Sequence, residues 1–296
     1  MTTSDFQIIL TAVLVSSSCA LLGCFLVLRK MAMVGDAISH AILPGIVIAF
    51  LLSGSRDSLM MVAGAGTIGL FTTFMVEYLH RRARLQSDAA IGVTFTALFA
   101  LGVILVSAYA GKVDLDQECV LYGEIAYVPL DVIYFDHDTI IIPRAVMVGA
   151  TVLVVILTFI LLGYRPLALT TFDPAFAQAA GIQVALWHYL LMGAVSVNTV
   201  ASFESVGAIL VVALLVGPAA TAYLLTDKLR TMLWLSVVIG TLASAMGYYL
   251  AVTMDGSIAG AIATCCGLLF LTALVFSPQN GLVWKKRRRT AGPALN

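Results

Sequence analysis

One short stretch of the chain combines residue types able to hold a metal ion: Met33-Val-Gly-Asp36-Ala-Ile-Ser39-His40-Ala-Ile-Leu-Pro44-Gly45. On a helix, Asp36 and His40 stand at i and i+4 and share a face, with Ser39 beside them. A carboxylate and an imidazole at that spacing can reach one divalent ion, and N and O donors suit manganese, iron or zinc. Pro44-Gly45 then interrupts the helix, and broken backbone at membrane depth belongs where it lines a protein cavity. The same two side chains can equally form a structural clasp near a membrane boundary, serving a gate or an interface. Both readings stand on the sequence alone.

Other ionisable or polar positions are Glu77, His188, Asn198 and Glu204. Beside His80 and Arg81, Glu77 reads as a surface ion pair at a span end. His188, at the start of a span, reads as an interfacial or inter-helix hydrogen bonder. Glu204 is a candidate for lining an outer vestibule or, more plainly, a solvated helix end. Cys265-Cys266 offers soft ligands, although cysteines inside apolar runs usually pack. No GxxxxGK[ST] phosphate loop and no HExxH occurs. Any energy-coupled activity therefore needs an ATPase from another chain, and the chain reads as non-catalytic.

The elements that position these residues follow from composition. Of 296 residues, 61% are hydrophobic and 11% charged, and the mean hydropathy is +1.03. A soluble domain carries roughly a quarter charged residues, so a soluble enzyme is excluded. Disorder is excluded by the same numbers. A formal net charge of zero gives no basic surface for nucleic acid. What remains is an all-α, polytopic membrane protein with eight or nine transmembrane helices.

Apolar segments of crossing length run at 6–28, 34–52, 59–79, 89–110, 139–162, 185–203, 206–226, 231–253 and 257–276. The second is the least regular, since its first turn holds Asp36, Ser39 and His40. With the N-terminus outside and the C-terminus cytoplasmic, 13 of 16 basic residues fall on the inner side, as the positive-inside rule requires. Eleven of 16 acidic residues fall outward. The expected organisation is a transmembrane domain over 1–280 and a basic cytoplasmic tail over 281–296, whose Lys-Lys-Arg-Arg-Arg cluster suits anionic membrane lipid. An acidic extracytoplasmic loop spans 111–138.

Two further segments stand out. Over 170–184, Phe172-Asp173-Pro174 followed by Gly181-Ile182 predicts a short capped helix, with Thr171 or Asp173 as the cap, proline in the first turn and glycine past the end. Such a helix suits docking of a soluble partner, or an interfacial segment that fixes the register of two spans. In the run 206–222, Gly217 and Pro218 predict a bend in an otherwise apolar span.

Together, Asp36-Ala-Ile-Ser-His40…Pro44-Gly45, Phe172-Asp173-Pro174…Gly181-Ile182 and Val206-Gly207…Leu214…Pro218-Ala-Ala-Thr-Ala222 resemble the ABC-3 family. These are the membrane permease subunits of bacterial manganese, zinc and iron ABC importers, and the resemblance covers about residues 6–277. It implies a permease of the bacterial inner membrane that pairs with a second permease subunit, paralogous or identical. Further implied partners are a cytosolic ATPase subunit and an extracytoplasmic metal-binding protein. Residues 172–182 then correspond to the coupling helix on the ATPase. The resemblance also implies ATP-driven alternating access, with a divalent metal as cargo, manganese first, and no permanently bound cofactor. Asp36 and His40, with Glu204, are the expected metal-pathway residues. The competing class is a stand-alone secondary transporter or channel for cations, which would show paired ionisable residues at the midplane of two matching halves.

Overall fold

The computed structural model describes residues 3–53, 58–109, 125–135 and 140–277. Long, largely apolar runs form the helices α1 (Thr3–Leu28), α2 (Val34–Ala41), α3 (Leu43–Ser53), α4 (Ser58–Arg82) and α5 (Ser87–Tyr109). After a 3-10 turn (Ile125–Leu130) and strands β1 (Val132–Phe135) and β2 (Ile140–Pro143) come α6 (Arg144–Phe172) and α7 (Pro174–Ala179). The chain then continues through α8 (Val184–Val206), α9 (Ala208–Leu225), α10 (Leu229–Met254) and α11 (Ile258–Phe276).

Among the described residues, eight helical spans are long and apolar enough to cross a membrane, with α2 and α3 counted as one. Helix α4, at 25 residues, is roughly 37 Å long and is also of crossing length. The second span is broken, as its sequence suggested. Helix α2 stops at Ala41, Ile42 closes its last turn by donating its N–H to the Ile38 carbonyl at 3.2 Å, and α3 starts at Leu43. Pro44, which lacks an N–H, falls in the first turn of α3, where no intrahelical partner is needed.

Two boundaries differ from the sequence expectation. The span expected at 139–162 begins at Arg144 and continues to Phe172. The β-branched run Ile140–Ile142 pairs instead as a strand, antiparallel to β1 with Val132 opposite Pro143 and Phe135 opposite Ile140. At the other end, helix runs through Pro166. The expected bend at Pro218 is not a break either, since α9 continues through it from Ala208 to Leu225. The parts of the acidic loop at 110–124 and 136–139, and the tail from 278, lie outside the described residues.

Helix α1 is the axis of the molecule. It packs against α6, α8, α9 and α10, while α11 closes over α9 and α10. A second group, α2 to α5, joins the first largely through α8, which touches α4, α2 and α1. Small residues set the closest approaches, as expected where helices pack in lipid. A Cβ on Gly23 would strike the Leu215 carbonyl oxygen. Gly45 and Gly64 are reciprocal: a Cβ on either would strike the carbonyl oxygen of the other.

Candidate metal pair and coupling segment

Helix α2 owes its form to one sharply divided sequence. Val34, Gly35, Ala37, Ile38 and Ala41 are buried, leaving Asp36, Ser39 and His40 on the opposite, half-exposed face. His40 Nε2 lies 3.6 Å from Asp36 Oδ1, with side-chain exposures of 37% and 35%. Neither is therefore sealed in the core. Ser39 Oγ donates to the Asp36 carbonyl at 2.6 Å, so its hydroxyl is committed to the backbone. On its other side, the imidazole meets Phe95 and Phe99 of α5, each with ring centroids 6.0 Å away.

At metal–ligand lengths of about 2.1 Å, two donors 3.6 Å apart subtend about 118° at a shared ion. The pair can thus chelate one divalent cation with little adjustment. Among the described residues, no group of three or more His, Cys, Asp or Glu could hold a metal. Two ligands without a third suit transient contact better than permanent residence, since conduction needs sites weak enough to release. The third expected ligand, Glu204, is in the last turn of α8, and its side chain lies outside the described residues.

The segment after α6 is built by its own termini. Asp173 Oδ1 accepts the Phe176 N–H at 2.9 Å, capping α7, and Pro174 occupies the first turn. At the far end Gly181 adopts φ +78°, a left-handed conformation open to glycine. There the Ile182 N–H reaches the Ala177 carbonyl and the Gly181 N–H that of Gln178, a double closure of the helix end. Ala177 is buried, whereas Phe172 and Phe176 are 60% and 57% exposed. The result is a six-residue helix whose Phe176 ring, with Phe172 at the end of the preceding span, is exposed.

Sequence reasoning missed a buried polar junction beside this segment. Glu77, expected at the surface, is buried. Its Oε2 lies 2.8 Å from His188 Nε2, with side-chain exposures of only 5% and 11%. His188 Nδ1 faces Arg29 Nη1 at 3.2 Å. Arg29 also donates from Nε to Thr171 Oγ1 at 3.0 Å and from Nη2 to Thr170 Oγ1 at 2.9 Å. Burial lowers the Arg29 guanidinium to about 10, with the Glu77 carboxylate pulling the other way, so it remains a cation at neutral pH. No spacing links positions 29, 77, 170 and 188. The only sequence sign was that Arg29, Glu77 and His188 are ionisable residues at the ends of three spans.

Gly217 and Pro218 pack in the core: a Cβ on Gly217 would meet Cys266 Cβ at 3.1 Å. Gly45 likewise belongs to the α3–α4 crossing. Asn198 is fully buried and donates to Cys19 Sγ at 3.2 Å.

The arrangement has close counterparts among known proteins. The family model of the ABC 3 transport family matches residues 3–277. The chain belongs to the ABC 3 transport family. It is 52% identical over 282 residues to the manganese transport system membrane protein MntD of Bacillus subtilis, covering 95% of each chain. To the zinc transport system membrane protein TroD of Treponema pallidum it is 45% identical over 277 residues, covering 94% of this chain and 75% of the other. The solved structure of PsaBC from Streptococcus pneumoniae in complex with Fab superposes with a TM-score of 0.77 at 32% identity, covering 97% of this chain and 96% of that one. The protein is thus a multi-pass membrane permease subunit of the bacterial inner membrane and not itself an enzyme.

Proposed function

We propose that this permease imports a divalent transition metal, manganese first and iron or zinc after it, with Asp36 and His40 as ligands along the route. The observation that supports the site most directly is the 3.6 Å carboxylate–imidazole spacing on the half-exposed face of a broken helix. Half-exposure matters because a cargo ligand must be reachable and must let go. The manganese preference is supported by relatives whose names carry that metal, MntD at 52% identity foremost. Glu204 is a candidate for the outer vestibule.

ATP hydrolysis is supplied by a separate cytosolic ATPase, on which Phe172, Asp173, Pro174, Gly181 and Ile182 form the coupling segment. The exposed Phe172 and Phe176 rings are the surface it offers. On this reading the α7 end of the bundle is in the cytosol and the N-terminus is outside, which the positive-inside rule supports. A second permease subunit and an extracytoplasmic metal-binding protein complete the importer. The test is metal uptake by cells carrying the full transporter with Asp36→Ala or His40→Ala. Each substitution should abolish manganese-dependent uptake while the complex still assembles. Unmodified uptake by the double variant would refute the site.

A further inference from the structure

The buried junction of Arg29, Glu77 and His188 lies beside the start of the coupling segment, close to Thr170, Thr171 and Pro174. Arg29 directly follows α1, and its guanidinium grips the last turn of α6 through Thr170 and Thr171. Both hydroxyls are themselves fixed, since each donates to the Leu167 carbonyl, at 3.2 and 2.7 Å. Asp173, the cap of α7, is two residues further on. In the other direction along the chain, Lys30 turns in a left-handed conformation at φ 59°, and α2 begins at Val34. The same guanidinium therefore ties the root of α7 to the end of α1, from which residues 30–33 lead directly into the helix that carries Asp36 and His40.

The hydrogen bonding fixes the state of His188. An arginine N–H can only donate, so Nδ1 must accept, and Nε2 then carries the proton that faces Glu77. A neutral imidazole thus bridges a cation on the α1 side to a carboxylate on α4. Buried ions persist when they are paired and bonded, and removing one partner leaves a costly lone charge. Around these groups is a cavity of about 500 Å³, bordered also by Lys30, His80 and Pro174. Two cations in its wall, Arg29 and Lys30, make it a poor station for a metal dication.

We propose that Arg29, Glu77 and His188 are positioning residues for coupling: a buried latch that carries displacement of α7 to α2. They touch no cargo and no nucleotide. The latch holds four helix ends, those of α1, α4, α6 and α8, in one hydrogen-bonded unit, so a shift of the coupling segment pulls on the end of α1 and, through residues 30–33, on the start of α2. The inference rests on the importer reading given above.

The test uses the complete transporter with its ATPase, reconstituted in liposomes, with manganese uptake and ATP hydrolysis measured together. Three variants separate the possibilities. His188→Leu removes both hydrogen bonds. The pair Arg29→Met with Glu77→Met removes both charges at once. His188→Gln retains one donor and one acceptor. Manganese moved per ATP should fall about tenfold in the first two, within the usual span of coupling energies, and should stay near the unmodified ratio in His188→Gln. An unmodified ratio in His188→Leu or in the double variant overturns the latch. So does an equal loss in His188→Gln, which would make the imidazole a packing group only. Failure of both removal variants to assemble, with His188→Gln assembling normally, overturns it in favour of a role in assembly. Absence of ATP-driven uptake in the unmodified complex would instead sink the importer reading.

Discussion

Replacing Asp173 by alanine removes one hydrogen bond from a helix that has little else to hold it. Helix α7 has six residues, and a helix that short does not persist in water without help. Its help comes from three sources: the Asp173 cap at 2.9 Å, the glycine closure at Gly181 and the burial of Ala177. Losing an aspartate cap to alanine costs about 1 kcal/mol, which is about a fivefold change in the local folding equilibrium. The Asp173 side chain is exposed, so no cavity or stranded charge adds to that figure. Amide hydrogen exchange resolved at Phe176 and Ala177 reads it directly, and both amides should exchange about fivefold faster in Asp173→Ala. Asparagine caps as well as aspartate does, so Asp173→Asn should leave both rates unchanged. In the assembled transporter, Asp173→Ala should then lower ATP-driven uptake while Asp173→Asn does not. Unchanged exchange in Asp173→Ala would refute the capping argument. Faster exchange with unaltered uptake and unaltered stimulated ATPase activity would refute the docking role.

Other outcomes follow from single positions. Gly181→Ala forces a side chain into the left-handed conformation at φ +78°, costing about 1–2 kcal/mol, and exchange at Ile182 should accelerate accordingly; an unchanged rate would contradict that strain. Gly45→Ala or Gly64→Ala drives a methyl into a facing carbonyl and should destabilise by about 1–3 kcal/mol, seen as a lower thermal midpoint in detergent. Gly66→Ala is the control, because nothing lies within 4 Å of its would-be Cβ; equal shifts at Gly45 and Gly66 would refute the close crossing.

What the sequence made legible was local. Asp36 and His40 could be paired by counting because both are on one eight-residue helix. Asp173, Pro174 and Gly181 announced α7 because caps are written in the residues next to the helix end. The spans were legible from their apolar runs. What stayed hidden depended on contacts between distant segments. Glu77 looked like a surface charge because its sequence neighbours are His80 and Arg81, yet its imidazole partner is on α8. Helix α6 outran its apolar stretch because Tyr164 and Arg165 are compatible with helix, and Arg230 stacks over the Tyr164 ring at 5.4 Å. The strand at Ile140–Pro143 read as the start of a span, since a short apolar run does not distinguish strand from helix. Gly45, read as a break, is one half of a crossing whose other half is 19 residues away.

That crossing also limits how the protein can move. Packed helices shear past one another by small slides of interlocking side chains. Between Gly45 and Gly64 carbonyl meets glycine directly, with the Ile68 and Ala49 side chains close beside the contact. Helices α3 and α4 are therefore held closely at that level, which favours their travelling as a single lever. The freedom lies at its joints: Ile42, where α2 parts from α3, and Gly207, whose φ of +80° and ψ of 162° belong to a region reserved for glycine. An inward–outward transition would swing the α3–α4 lever against α2, whose chain leads back to Arg29 at the end of α1.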